Sequence, residues 1–287
     1  MELCAKDLIR VLASNPSPLT GPGTNSFVIG DRDRVVIDPG PDDPAHLDAV
    51  WQAARGRISH IIVTHAHLDH SAGAQRLAQR SGAPVLAFGT AAAGRSPTMQ
   101  QLARSGMDSG GEGLDLSFRP DMLLHDDMRL DTPAGEIAVL HTPGHAAGHL
   151  CLAWRDVLFS GDVVMGWSST LISPPDGDLC DYMRSLSRIA AWGAARLLPA
   201  HGPAVEDPPA RLSDLAAHRR QRTAQILAAL IQRPGTAEDL ARRIYEIPEP
   251  LLTVAARNVL AHLLALSDLG AVETEEKSGI ASVWRMV

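Results

Sequence analysis

Thr64-His65-Ala66-His67-Leu68-Asp69-His70 stands directly after the apolar run Ile58 to Thr64, and this junction decides how the chain is read. The run has the length and β-branched content of a buried strand. Residues 65–70 then bring three imidazoles and a carboxylate close together in the chain. Two histidines at i and i+2 leaving a strand end can project to one side. Asp69 and His70 then turn back at the start of a helix expected over 71–81. Imidazole nitrogen and carboxylate oxygen are the donors that suit zinc and similar ions. The bland alternative, a solvated loop, leaves this density of ligands without a cause.

Three further strand ends carry the same chemistry. His141-Thr142-Pro143-Gly144-His145 follows a run from Ile137 to His141, and its Pro-Gly turn fixes where His145 points. Ser160-Gly161-Asp162 follows Val157 to Ser160 and offers a carboxylate able to bridge two ions. Ala195 to Leu198 leads into Pro199-Ala200-His201-Gly202. Strand-like runs also occur at Phe27-Val28-Ile29 and Val35-Val36-Ile37, joined by a polar turn, at Val85-Leu86-Ala87 and at Leu150 to Trp154, with an amphipathic helix over 180–192. Residues 89–121, which hold Pro97, Pro120 and the run Gly110-Gly111-Glu112-Gly113, read as an insertion of helix and loop near a site.

Pro203 to Pro209 reads as a linker, which divides the chain into residues 1–206 and 207–287. A long helix is expected over 212–232, a second opening at Thr236-Ala237-Glu238-Asp239 with capping chemistry, and a third over 251–268 ended by Gly270. Two short strands around 271–274 and 282–286 complete a winged-helix pattern.

Composition narrows the function. The chain is 45% hydrophobic and 21% charged, as a soluble globular protein is. No apolar run approaches the ~20 residues of a membrane span. The opening Met1-Glu2-Leu3-Cys4-Ala5-Lys6-Asp7 has no signal-peptide character, so the cytoplasm is the expected location. Cys4, Cys151 and Cys180 are too few and too scattered for a disulfide framework. Residues 207–287 balance ten basic against ten acidic side chains, so the net charge of −7 sits in residues 1–206. A field of that sign does not attract polyanions.

The ordered set His-x-His-x-Asp-His, distal His, Asp and final His resembles the metallo-β-lactamase superfamily from about residue 20 to residue 203. The stretch Leu19-Thr20-Gly21-Pro22-Gly23-Thr24-Asn25-Ser26 and the C-terminal module are similar, more narrowly, to the β-lactamase-like protein 2 subfamily. That resemblance implies an α/β (α+β) fold, a four-layer αββα sandwich followed by a small winged-helix-like domain. It also implies a binuclear centre. His65, His67 and His145 would form one site, Asp69, His70 and His201 the second, with Asp162 bridging. The cofactors implied are two divalent ions, zinc first, with manganese or iron as alternatives. Asp69 is the expected catalytic carboxylate, orienting the attacking water and taking part in proton transfer.

Asp38, in Ile37-Asp38-Pro39-Gly40, is read as holding a ligand or its loop, with an ordinary turn carboxylate as the alternative. His149 is expected behind the ligands or in the pocket wall, and Trp167, Ser168 and Ser169 along the substrate pocket. His60, His125, His218 and His262 match no motif, Cys151 is expected buried and inert, and the basic run His218-Arg219-Arg220-Gln221-Arg222 reads as a solvated face. The expected reaction is hydrolysis of a small ester, thioester or lactone. The alternatives are a single-strand endoribonuclease, which the subfamily includes, and iron-dependent sulfur oxidation. Among partners, a small-molecule substrate comes first and single-stranded RNA second, with a homo-oligomer left open and no membrane. Duplex DNA is disfavoured because the wing Glu273-Thr274-Glu275-Glu276-Lys277 is acidic. A wall or lid over the metal cleft is the expected role of the C-terminal module.

Overall fold

The computed structural model describes residues 1–5, 7–107, 113–275 and 278–287. Gly110, Gly111 and Glu112 of the glycine-rich run, and Glu276 and Lys277 of the wing, lie outside the described residues.

The first sheet is built in order from β1 (Glu2–Ala5), β2 (Leu8–Leu12), β3 (Asn25–Ile29), β4 (Arg34–Ile37), β5 (Ile58–Ile62), β6 (Val85–Ala87) and β7 (Met122–Leu123). Its first four strands pair antiparallel and the rest parallel. The parallel crossovers carry α1 (Pro44–Ala53), the short α2 (Leu68–Ser71) and α3 (Ala74–Ser81), while α4 (Pro97–Arg104) lies in the segment before β7. The expected helix over 71–81 is thus two pieces, interrupted where Gly73 donates its N–H to the Gly40 carbonyl (3.0 Å). The second sheet runs β12 (Arg196–Pro199), β11 (Val157–Gly161), β10 (Leu150–Trp154), β9 (Gly135–His141) and β8 (Arg129–Thr132), with α5 (Leu179–Trp192) before β12.

Strand alternation sorts the side chains into layers. Phe27, Ile29, Val35 and Ile37 face Val139, Leu152, Trp154 and Phe159 between the two sheets. Their sequence neighbours Val28 and Val36 point outward and pack with Val50 of α1 and Leu77 of α3. On the second sheet Leu140, Cys151 and Leu158 pack beneath Tyr182, Leu186 and Ile189 of α5. Both strand faces are apolar because both are covered, and the result is the αββα sandwich. The hairpin β1–β2 was not foreseen, since residues 1–12 carry only a weak strand signal that pairing with β3 completes.

The remaining chain forms α6 (Pro208–Gln232), α7 (Ala237–Ile244), α8 (Leu252–Asp268) and the hairpin β13 (Val272–Thr274) with β14 (Trp284–Met286). Thr236 caps α7 in a reciprocal box with Asp239, as its sequence suggests. The long helix α6 serves both parts: Leu212 and Leu215 pack under the second sheet, whereas Ile226 and Leu230 join the core of α7 and α8. Helix α4 of the 89–121 insertion also reaches this second core through Met99 and Leu102. Among the described residues no helix is long and apolar enough to cross a membrane.

The basic run on α6 is not a solvated face throughout. Arg220 is exposed, but Arg219 is 2% exposed and the Arg222 guanidinium lies 3.8 Å from the Tyr245 ring centroid. Helical periodicity put the run on one turn, and the packing of α6 against α7 and α8 buries one side of that turn.

Candidate metal centre

All the strand ends singled out in the sequence meet at one edge of the sandwich. His65, His67, Asp69 and His70 follow β5, His145 follows β9, Asp162 follows β11 and His201 follows β12. Two glycines allow the close approach. Gly144 has φ 146°, and a Cβ there would lie 2.4 Å from the Tyr182 Cα, so the turn before His145 admits no side chain. Gly161 has φ 47°, and a Cβ would lie 2.4 Å from His149 Nε2, closing the space before Asp162.

The donors form three overlapping groups: His65, His67 and His145; His65, His70 and Asp162; Asp69, His70 and His201. Within each group the ligand atoms lie within 4.8 Å of one another. Asp162 Oδ2 sits in the middle, 3.2 Å from His201 Nε2, 3.5 Å from His70 Nε2, 3.6 Å from His145 Nε2 and 4.0 Å from His65 Nε2. Asp69 Oδ2 lies 3.3 Å from His201 Nε2 and 3.4 Å from His70 Nε2.

Hydrogen bonds behind the rings decide which nitrogen faces the centre. His145 donates Nδ1–H to the Leu171 carbonyl (2.8 Å), His201 to the Gly23 carbonyl (3.2 Å) and His70 to Asp38 Oδ2 (2.9 Å). Thr64 donates its hydroxyl to Asp38 Oδ2 (2.8 Å), so its oxygen accepts from His65 Nδ1 at 3.0 Å. In each case Nε2 is left facing the centre, as metal-ligating histidines require. His65 Nε2 and His145 Nε2 then approach His67 Nδ1 at 2.9 and 3.1 Å. Three imidazole nitrogens thus converge on one point, an arrangement that suits a shared cation. Among the described residues, His70 Nε2 and Asp162 Oδ1 are buried with no hydrogen-bond partner. Buried polar atoms in this state are costly unless something binds them. The residues therefore fit bound metal ions.

Electrostatics separate the two halves. Burial, reinforced by neighbouring imidazoles, pushes His65 well below the ordinary histidine range and His67 down to about 3, keeping both as neutral donors. Burial acts the same way on His70 and His201 but is outweighed there. The carboxylates of Asp69, Asp162 and Asp38 hold His70 well above its usual range, and Asp162 and Asp69 raise His201 to about 10. Burial would raise Asp69 and Asp162, but the imidazoles opposite hold both below the usual carboxylate range. This half carries the negative charge that calls for a cation.

The residues expected behind the ligands sit there. Asp38 adopts φ 49°, uncommon for a side-chain-bearing residue. It is held by the Thr64 N–H (2.7 Å), the Thr64 hydroxyl and His70. His149 is buried rather than in the pocket wall, and its Nε2 accepts the Asp162 N–H (3.0 Å) while Nδ1 meets the Thr142 hydroxyl (3.0 Å).

A cleft of ≈ 400 Å³ opens over the centre and is lined by His67, Asp69, His145, Asp162 and His201 together with Trp167, Ser168 and Ser169. Leu19, Leu68 and Trp167 on its wall are 40%, 45% and 45% exposed, an apolar rim. Val254 and Asn258 of α8 complete the lining. Among the described lining residues there is no lysine or arginine.

Two contributors escaped the reading of the sequence. Thr24 donates its hydroxyl to Asp69 Oδ2 (2.8 Å) and is itself clasped by Asn15, whose Oδ1 accepts the Thr24 N–H (2.9 Å) and whose Nδ2 donates to the Thr24 hydroxyl oxygen (3.0 Å). The segment is tied to the His201 turn by the Asn25 amide, which donates to the Pro199 and Gly202 carbonyls (3.0 Å each). Thr24 lies in a stretch whose glycines and hydroxyls signal a turn, but nothing local announces a partner distant in the chain.

Comparison with known proteins agrees with this geometry. Residues 19–201 match the metallo-beta-lactamase superfamily, and residues 236–284 the beta-lactamase associated winged helix domain. The beta-lactamase-like protein 2 homolog of Drosophila melanogaster is 32% identical over 281 residues, covering 94% of this chain and 91% of that protein. A metallo-beta-lactamase family protein from Thermus thermophilus superposes with a TM-score of 0.79 over 99% of both chains, at 23% identity. The protein TTHA1623, solved in a di-iron-bound form, superposes with a TM-score of 0.52 at 26% identity, over 73% of this chain and 96% of that one. By its profile, its relatives and its ordered His and Asp set, the chain belongs to the metallo-β-lactamase superfamily and carries the winged-helix domain associated with it.

Proposed function

We propose that this chain is a binuclear metal-dependent hydrolase acting on a neutral carboxylic ester, thioester or lactone. The observation that carries the reading is the convergence of imidazole nitrogens and carboxylates under an apolar-rimmed cleft with no lysine or arginine among its described lining residues. His65, His67 and His145 would hold one ion, Asp69, His70 and His201 the other, with Asp162 between them. When bound, such ions supply Lewis acidity, lowering the pKa of water and polarising the scissile carbonyl. Zinc suits the nitrogen and oxygen donors. The di-iron form of one similar protein makes iron the competing identity, which elemental analysis decides.

The side chains divide the remaining work. Asp69 reaches the cleft, where its carboxylate can accept a hydrogen bond from the attacking water. Thr24 occupies Asp69 Oδ2 from behind and fixes the direction of the group. Water adds to the carbonyl carbon, Asp69 takes its proton, and the carbon–oxygen or carbon–sulfur bond breaks with that proton passing to the leaving group. Leu19, Leu68, Trp167 and Val254 offer contact to an apolar acyl or alcohol portion.

The test is metal analysis of the purified chain followed by a panel of esters, thioesters, lactones, phosphodiesters and short RNA. We expect turnover of the carboxylic substrates and at least a thousandfold loss in His67→Ala and Asp69→Ala, both retaining the wild-type circular dichroism spectrum. Full activity in either variant, or turnover confined to RNA with steep salt dependence, would reject this reading.

A further inference from the structure

The residues after Asp162 make one wall of the cleft, and the C-terminal module holds them from behind. Thr170 donates its hydroxyl to the Asp162 carbonyl, and the Leu171 carbonyl accepts Nδ1–H of His145 (2.8 Å). This short segment therefore touches two of the metal-site residues. Its other contacts come from α6 and α8. Arg219 donates to the Thr170 carbonyl and, from its second nitrogen, to Asn258 Oδ1 (3.3 Å). The same Asn258 oxygen accepts the Ile172 N–H (3.1 Å), and Arg257 donates to the Pro174 carbonyl (3.0 Å). Nearer the start of α6, Arg211 donates to the Met165 carbonyl (3.1 and 3.0 Å) and to the Ser168 carbonyl (2.5 Å).

This use of arginine is unusual. Among the described residues neither Arg211 nor Arg219 forms an ion pair, and Arg219 is 2% exposed. A buried guanidinium is retained at a cost unless its donors are used. Arg219 uses two nitrogens, one on the Thr170 carbonyl of a loop whose opposite side orients candidate ligands and one on the Asn258 side-chain oxygen, its guanidinium lies 5.2 Å from the Tyr182 ring centroid, and its Nε has no partner among the described residues. The third helix, which in nucleic-acid-binding modules would enter a groove, turns Arg257, Asn258 and His262 inward. Arg257 and Asn258 hold the loop, and His262 is buried against the Thr223 hydroxyl (2.8 Å).

We propose that Arg219 and Asn258 are positioning residues of the metal centre, which makes the C-terminal module a structural part of the active site rather than a nucleic-acid reader. The proposal rests on the metal-centre reading above. Through Leu171 the clamp sets the ring orientation of His145, and through Thr170 it sets the backbone of Asp162. Loss of the clamp lets the 170–172 segment drift, and the group of His65, His67 and His145 loses one aligned nitrogen.

The experiment uses the full chain and four variants: Asn258→Ala, Asn258→Asp, Arg219→Met and Arg219→Lys. Zinc affinity is measured by competition with a chromophoric chelator, cobalt-loaded protein gives the visible absorption of the sites, and kcat and KM are taken separately. Disturbing an outer partner of a ligand lowers metal affinity by about 10–100-fold, and we expect about tenfold for Asn258→Ala at one of the two sites. An altered cobalt band and a lower kcat should accompany it. Asn258→Asp keeps the oxygen that receives the Ile172 N–H and should restore all three. Arg219 does not line the cleft, so a fall in kcat and metal affinity in Arg219→Met, partly restored in Arg219→Lys, excludes a mere substrate contact. Should Arg219→Met fail to fold, the Asn258 pair decides. Wild-type zinc affinity, cobalt spectrum and kcat in folded Asn258→Ala would overturn the proposal while leaving the metal centre standing. A wild-type chain that binds no zinc or cobalt would remove the metal centre and the proposal with it.

Discussion

Thr24 shows how much rests on one hydroxyl. It is wholly buried, and its donation to Asp69 Oδ2 fixes a carboxylate that otherwise could rotate between the cleft and the imidazoles of His70 and His201. Thr24→Val keeps the shape and removes the donor. Losing one partner of a buried charged hydrogen bond is worth about 1.5–3 kcal/mol, or about ten- to hundredfold in rate if the interaction is felt in the transition state. We expect that fall in kcat, with Thr24→Ser near wild type. Equal kcat values in the Val and wild-type proteins, at equal zinc content, would show that Asp69 is oriented without Thr24. Of the residues at this centre, the candidate ligands were legible because each sits in a short turn after an apolar strand. Thr24, Thr64 and Leu171 were not, because a hydroxyl or a carbonyl has no sequence signature for the distant ring it serves.

Helix α8 illustrates what neighbours do to a helix. Its composition, rich in alanine and leucine, reads as a core helix, and Ala255, Val259, Leu260 and Leu263 are indeed buried. His262 shares that burial, and its pKa is lowered to about 3, by desolvation first and then by Arg219, Arg222 and His218. A neutral histidine that must stay neutral makes the fold acid-sensitive. The unfolded chain takes up the proton near pH 6.5 and the folded one only near 3, so stability is fully present above that window and falls as pH drops through it. The slope from this residue is at most about 1.4 kcal/mol per pH unit. Urea denaturation of His262→Gln should show a shallower loss of stability between pH 6.5 and pH 4 than the wild type. Identical slopes would mean that other groups carry the acid sensitivity. The same crowding explains why Arg219 was misread: sequence periodicity says which side of α6 a residue takes, not which sides are covered.

The molecule as a whole is a sandwich whose candidate ligands come from both sheets, so a metal ion held there would tie the sheets together at one edge. His65, His67, Asp69 and His70 belong to the first sheet's connections, and His145, Asp162 and His201 to the second's. Binding to the folded state alone stabilises it by about 2.7 kcal/mol at a hundredfold excess over the dissociation constant. Chelation should therefore lower the melting temperature by about 5–10 °C, and added zinc should restore it. A melting curve indifferent to chelator, in protein shown beforehand to contain metal, would mean that the ions do not bridge the sheets energetically.

Local sequence marked the candidate ligands, the strands that precede them and the capping of the C-terminal helices, because each depends on short-range periodicity or turn chemistry. Packing alone settled which nitrogen of each imidazole faces the centre, that Thr24 reaches Asp69, and that Arg219 and Asn258 turn inward onto the loop after Asp162. Those outcomes depend on hydrogen bonds between atoms brought together from distant parts of the chain, and on which surfaces lose their water when the layers close.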